Sequence, residues 1–228
     1  VAAGANACVL HYRADAAPVR AGELVLIDAA CELDGYASDI TRTFPANGKF
    51  TAPQRELYDL VLASQHAAVA ATKAGARFTD PHEASVKVLA QGMLDTGLLD
   101  KNKVGSLDDV IEQRAYFQFY MHRTGHWIGM DVHDCGSYLE PAELGQASAR
   151  KDALTGETIV NRPARVLKPG MALTIEPGIY VRPAPGVPEK YHNIGIRIED
   201  DAIVTATGCE LITRDVPVGA DEIEALMR

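Results

Sequence analysis

The sequence has only four cysteines, Cys8, Cys31, Cys135 and Cys209, and no two form a C-x-x-C pair. Such spacing argues against a structural zinc site and against a disulfide scaffold, and favours a reducing, cytoplasmic compartment. A Lys/Arg-rich run is also missing, and the formal net charge is −9. Nucleic acid and anionic membrane surfaces are therefore poor partners. No apolar stretch approaches the ~20 residues that cross a bilayer, and no signal-peptide pattern is visible. Repeats of solenoid period and low-complexity tracts are absent too. The expectation is one soluble globular domain over residues 1–228, whose 47% hydrophobic content suffices for a full core. The opening, VAAGANACVLHY from Val1, reads as a strand already under way, so a fragment is favoured over a processed terminus.

Glu23–Ile27 and Ile40–Phe44 are β-prone runs flanking an Asp34-Gly35 turn signal, which predicts a hairpin. With a two-residue loop, Leu33 pairs with Tyr36 and Asp28 with Thr41, leaving Asp39 diagonal to Asp28 on one face. A longer loop puts the two aspartates directly opposite each other; either register keeps both carboxylates on one side. Thr51-x-x-Gln54 is a capping box ahead of a helix through Leu57, Leu60, Val61, Ala68 and Val69, expected to stop at Gly75. Asp80-Pro81 opens a second helix running to Gly97, Ser106 with Asp109 a short third, and Asp221 a closing one. After Tyr120 the pattern suggests a site-lining loop and strand. Residues 141–168 read as a loop or ragged hairpin, and Met171–Tyr180 and Ile194–Val204 as strands. In the last of these, Ile194, Ile196 and Ile198 share one face, and Arg197 and Glu199 the other.

Chemistry concentrates in LVLIDAACELDGYASDITRTF, HWIGMDVHD, TIEPG and IRIED. These segments supply five potential metal ligands: Asp28, Asp39, His126, Glu176 and Glu199. Four carboxylates and one imidazole form a hard, oxygen-rich set, suited to two divalent ions such as manganese, cobalt or iron rather than to thiolate-bound zinc. Two such ions neutralise four carboxylates, and a hydroxide held between them is a nucleophile at neutral pH. Singly, each residue has an ordinary reading. The aspartates could be turn or cap residues, Glu176-Pro177-Gly178 a strand-ending turn, Arg197 and Glu199 a solvated face, and His126 and His133 core histidines. Met121, Trp127 and Met130 read as packing, and the cysteines as buried small residues. The ordinary readings fail jointly, because five coincidences are required.

From His11 to about Thr213, these segments, with LTIEPGIYV and NIGIRIEDD, resemble the metal-dependent aminopeptidases of the pita-bread fold, Xaa-Pro aminopeptidase (aminopeptidase P) above all. The resemblance implies an α+β fold: a curved antiparallel sheet covered by helices, here N-terminally incomplete, as the C-terminal catalytic part of a longer two-domain protein. It implies a dinuclear-metal enzyme that removes the N-terminal residue from peptides with proline second, with Mn²⁺ the first expectation and Co²⁺, Fe²⁺ or Zn²⁺ possible. Asp28 would hold one ion; Asp39 and Glu199 would bridge both; His126 and Glu176 would bind the other. Glu176 would also handle the proton of the attacking water. His133 would hydrogen-bond the substrate or the tetrahedral intermediate, His11 and His122 would border the substrate cleft, and Arg197 would support the proline-side pocket and the shell of groups behind the ligands. A homo-oligomer through the full-length protein is implied as well. One departure is Asp28-Ala29-Ala30, where the family has Asp-Ala-Gly; a small backbone adjustment is expected, without loss of the ion. Three alternatives stay open: an Xaa-Pro dipeptidase (prolidase), a catalytically inactive pita-bread binding module, and a mononuclear two-histidine-one-carboxylate oxygenase, which leaves two carboxylates unexplained.

Overall fold

In the computed structural model, which describes residues 1–13, 17–152 and 155–228, the first arm is built from five short strands. They are β1 (Ala2–Ala3), β2 (Leu24–Asp28), β3 (Glu32–Leu33), β4 (Tyr36–Ala37) and β5 (Thr41–Pro45). Asp34 and Gly35 have φ of 52° and 82°, the left-handed pair that a two-residue hairpin turn requires. The register follows from that turn: Leu33 faces Tyr36 and Asp28 faces Thr41. The shorter-loop alternative is thus the one found, and Asp39 lies diagonal to Asp28. β1 adds to the outer edge of β2, giving the order β1-β2-β5.

Helices α1 (Ala52–Ala71) and α2 (Asp80–Asp95) form the cover. Gln54 Oε1 accepts the Thr51 N–H at 2.9 Å, as the capping-box spacing predicts. α1 ends at Ala71, four residues before the expected Gly75, where the Thr72 hydroxyl donates to the Ala68 carbonyl. Beyond it, Gly75 donates its N–H to Leu167 O instead of continuing the helix. Two short helices follow, α3 (Lys101–Val104), which the periodicity did not predict, and α4 (Leu107–Glu112), which starts at the Ser106 cap. Leu57, Tyr58 and Val61 of α1 and Leu89 and Met93 of α2 are buried in one cluster with Ile179, Ile196 and Ile198. That apolar layer fixes the helices on one side of the sheet.

The remaining strands are β6 (Ser148–Lys151), β7 (Thr158–Asn161), β8 (Ala172–Ile175), β9 (Gly178–Val181), β10 (Ile194–Arg197), β11 (Asp200–Val204) and β12 (Cys209–Leu211), and α5 (Ala220–Leu226) closes the chain. β6 and β7 make the ragged hairpin expected between 141 and 168. The two long strands expected at 171–180 and 194–204 are each broken into two. The breaks fall at Glu176-Pro177 and at Ile198-Glu199. Proline cannot donate to a ladder, and β8 and β9 go to different partners, β11 and β10. The predicted strand after Tyr120 is a loop with a single bridge, Trp127 to Leu173. Met130 is exposed, as are Cys31 and Cys135, so none of these three is the packing residue the sequence suggests.

Where β5 passes β10, threonines replace a backbone ladder. Thr43 Oγ1 donates to Arg197 O at 3.0 Å and accepts the Arg197 N–H at 3.2 Å. Close by, the Glu199 N–H donates to Thr41 O at 3.0 Å. The turn at Gly4–Cys8 crosses β10 closely: a Cβ on Gly195 would lie 2.4 Å from the Ala7 carbonyl carbon. These stitches bring the Asp28–Asp39 arm against the two strand breaks.

Candidate metal centre

Each candidate ligand sits where a regular element stops. Asp28 ends β2, Asp39 lies between β4 and β5, and Glu176 and Glu199 occupy the breaks in the sheet. There the side chain is held by strands on either side while the backbone is free to turn it inward. His126 is placed by a two-way exchange with β8: its N–H donates to Thr174 Oγ1 at 3.1 Å, and its carbonyl accepts the Thr174 N–H at 2.9 Å. The Glu176 N–H continues the pairing to Thr124 O at 2.8 Å. Gly125 lets these backbones approach, since a Cβ there would lie 2.1 Å from the Thr174 carbonyl oxygen.

Ligand atoms of Asp39, His126 and Glu199 all lie within 4.8 Å of one another. His126 Nε2 is 3.4 Å from Asp39 Oδ2 and 3.8 Å from Glu176 Oε1. On its other side, His126 Nδ1 is 2.9 Å from the Trp127 carbonyl. A carbonyl only accepts, so Nδ1 carries a proton; when the ring is neutral, Nε2 turns a lone pair toward two carboxylates. Lone pairs facing one another across 3–4 Å need a cation or a proton between them. Around this cluster, Thr41 Oγ1 donates to Glu199 Oε2 at 2.6 Å and accepts from Arg197 Nε at 3.1 Å. Arg197 also donates to Asp28 Oδ2 at 2.7 Å and to the Tyr180 hydroxyl at 3.3 Å.

The charges are under strain. Burial, with Asp39 and Asp28 adding to it and His126 and Arg197 opposing, pushes Glu176 up to about 7. Burial and the neighbouring Glu176 and Asp39 push Glu199 well above the usual carboxylate range. Asp28 is raised by burial and by Asp39, against the pull of Arg197. Asp201 rises to about 6, chiefly by burial. Burial lowers His126, yet its hydrogen bonds to Asp39 and the Trp127 carbonyl, with the charges of Glu176 and Asp39, outweigh it and leave the ring raised. Arg197 is the cation within this group, and it cannot balance four carboxylates. The donor types, the facing lone pairs and the uncompensated charge fit divalent cations.

The matches to known proteins agree with this chemistry. Residues 1–206 match the metallopeptidase family M24. The chain belongs to that family. It is 44% identical to the Xaa-Pro aminopeptidase of Haemophilus influenzae over 227 residues, covering 100% of this chain and 47% of that protein. The Xaa-Pro aminopeptidase of Escherichia coli is also 44% identical, covering 100% of this chain and 46% of that protein. Among solved structures, aminopeptidase PepP of Pseudomonas aeruginosa superposes with a TM-score of 0.85 at 49% identity, over 99% of this chain and 46% of that one. The chain therefore spans about half the length of these relatives. Its fold is the pita-bread α+β fold of aminopeptidase P, and M24 membership implies divalent metal ions and a peptide substrate.

Within this M24 domain, all five predicted ligands converge, though not equally. Asp39, His126 and Glu199 form the tight group, Glu176 stands at its edge, and Asp28 is drawn toward Arg197. His133 is exposed, with its ring 4.5 Å from that of His126 and nearly perpendicular to it. His122 is more enclosed: Nε2 is 2.9 Å from the Tyr180 hydroxyl and Nδ1 2.7 Å from Arg123 O. Burial lowers its pKa to about 4, so it is neutral. His11 is exposed, close enough for its charge to act on His122. Arg197 is 6% exposed and bonded to Asp28, Thr41 and Tyr180. It braces the ligands from behind. Thr41, Thr174, Tyr180 and Asp201 were not predicted. Two of them carried a signal: Thr41 follows Asp39, and Asp201 follows Glu199, by two residues on an alternating strand. Nothing in the sequence pointed to Tyr180. Among the described residues, no helix is long and apolar enough to cross a membrane.

Proposed function

We propose that this chain is the catalytic part of a dinuclear-metal aminopeptidase that removes the first residue from peptides carrying proline second. The observation that carries this reading is the His126 geometry: Nε2 aimed at Asp39 and Glu176, beside Glu199, in an M24 domain. Relatives named Xaa-Pro aminopeptidase at 44% identity support the substrate class. Asp28, Asp39, His126, Glu176 and Glu199 would hold two ions. Hard oxygen donors favour Mn²⁺, with Co²⁺, Fe²⁺ or Zn²⁺ as substitutes. When bound, the ions would lower the pKa of a water molecule and polarise the scissile carbonyl.

The protein's own groups would do the rest. Glu176, with a proton affinity near neutrality, is suited to take a proton and pass it to the departing prolyl nitrogen. That nitrogen belongs to a tertiary amide with no N–H, so it must gain its proton from a positioned donor. His133, exposed beside His126, would hydrogen-bond the oxygen that gains charge as the carbonyl becomes tetrahedral. His122 and His11 would border the leaving side of the substrate. Thr41 and Arg197 would keep Glu199 and Asp28 oriented. A homo-oligomer of the full-length protein and a cytoplasmic location belong to the same proposal; four free thiols are in keeping with the latter. The test compares hydrolysis of an Xaa-Pro-Xaa tripeptide with that of the Xaa-Pro dipeptide by Mn²⁺-loaded protein. Preference for the tripeptide supports an aminopeptidase. Cleavage of the dipeptide alone would make the protein a prolidase.

A further inference from the structure

Two aspartates follow Glu199 directly; both are buried, but their partners differ sharply. Asp200 is 0% exposed and fully partnered. Its carboxylate accepts from Arg42 at 2.7 Å, Gln65 at 2.8 Å and Thr213 at 2.7 Å, and Arg214 lies 3.1 Å away. Asp200 is a structural ion pair. Asp201, 2% exposed, has no such company. Its Oδ2 accepts the Asp39 N–H at 3.0 Å, while its Oδ1 is buried with no hydrogen-bond partner. No lysine, arginine or histidine among the described residues pairs with it. Its backbone is pinned, the N–H to Thr213 Oγ1 and the carbonyl to the Ile212 N–H, both at 3.0 Å. In β11 it stands opposite Thr174, the residue that holds His126.

A buried carboxylate oxygen without a partner is costly. An asparagine would accept the same Asp39 N–H without burying a formal charge, so hydrogen bonding alone does not account for an aspartate here. Charge does. Divalent ions held beside Asp39 would supply the positive charge that a buried carboxylate with a partnerless oxygen otherwise lacks. We propose that Asp201 is a positioning residue of the metal centre: it fixes the Asp39 main chain and supplies the outer negative charge that the bound cations require. This rests on the metal-site reading above.

The test is Asp201→Asn, with Mn²⁺ titrated calorimetrically into chelator-stripped protein at pH 8 and the melting temperature of the stripped protein measured alongside. The variant should bind Mn²⁺ at least tenfold more weakly, while its stripped form melts at or above the wild type, by about 2–4 °C if like-charge repulsion is relieved. A merely structural role would lower both together. Should Asp201→Asn not fold, Asp201→Ser, smaller and uncharged, carries the same comparison. Wild-type affinity in the variant, or weaker binding together with a lower melting temperature in stripped protein, overturns the assignment. If the wild type itself takes up no Mn²⁺, the metal centre and this inference fall together. A normal wild-type isotherm with an unchanged variant removes the inference alone.

Discussion

Stripping the metal from this protein should make its stability depend on pH in an unusual direction, and Glu176 is the residue that shows it. Burial among carboxylates raises Glu176 from an ordinary 4.5 to about 7 in the folded chain. A group whose folded pKa is raised binds its proton more tightly when folded. Its contribution is complete below the unfolded pKa and is lost as pH rises through the folded one. Integrated from pH 5 to pH 8, the two pKa values give a loss of ~2.5 kcal/mol from this group alone. Its side chain is 18% exposed, so solvent screening is limited. Glu199 and Asp28, raised likewise, act in the same direction. His82 and His122, lowered to about 4 by burial, act in the opposite direction below their unfolded pKa. Comparing the wild type with Glu176→Gln cancels them. The assay is thermal melting of chelator-treated protein from pH 5 to pH 8. The wild type should lose roughly 5–10 °C relative to the variant over that range, at about 2–4 °C per kcal/mol for a chain of this size. Parallel curves for the two proteins would refute the charge strain assigned to the site. With metal restored, the same variant should keep part of its metal binding yet lose turnover, because an amide carries no proton.

Three further outcomes are expected. His133→Ala should lower kcat and kcat/KM together by about 10²–10³, as for a lost oxyanion donor, with metal content unchanged; loss of metal by elemental analysis would instead make His133 a ligand. Chelation should lower the melting temperature, and Mn²⁺ or Co²⁺ should restore it, by ~2.7 kcal/mol at a hundredfold excess over Kd; a melt unmoved by chelation of metal-loaded protein would uncouple the site from the fold. Gly125→Ala puts a methyl 2.1 Å from a backbone oxygen that cannot yield easily; it should cost about 1–3 kcal/mol by denaturant melting and loosen His126 enough to weaken Mn²⁺ binding.

Much of the first arm was legible because one dipeptide controls it. Asp34-Gly35 dictates a left-handed two-residue turn, and the pairing of Asp28 with Thr41 follows by counting. The capped starts of α1 and α4 were legible for a similar reason, since a cap is a local chemical event, and α2 starts at the Asp80-Pro81 pair that marked it. The strand breaks were not. Thr174-Ile175-Glu176 and Ile196-Arg197-Ile198 keep strand-like alternation straight through positions where the chain changes partners. Only the tertiary choice of neighbour, β11 or β10, reveals the interruption. The candidate ligands could be grouped from their motifs, but their ranking could not. That Asp28 leans to Arg197 while Asp39, His126 and Glu199 cluster depends on a guanidinium seated between Thr41 and Tyr180. Tyr180 is 139 residues beyond Thr41 in sequence and lies in an all-buried strand, so no local pattern announces it.

The central claim is that five side chains from four separate segments form one site for two ions. Elemental analysis of gently purified protein, reported as ions per chain and repeated on His126→Ala, tests it most directly. Two divalent ions per chain in the wild type, with clear loss in the variant, is the predicted result. One ion or none after incubation with Mn²⁺, or full occupancy without His126, would contradict it.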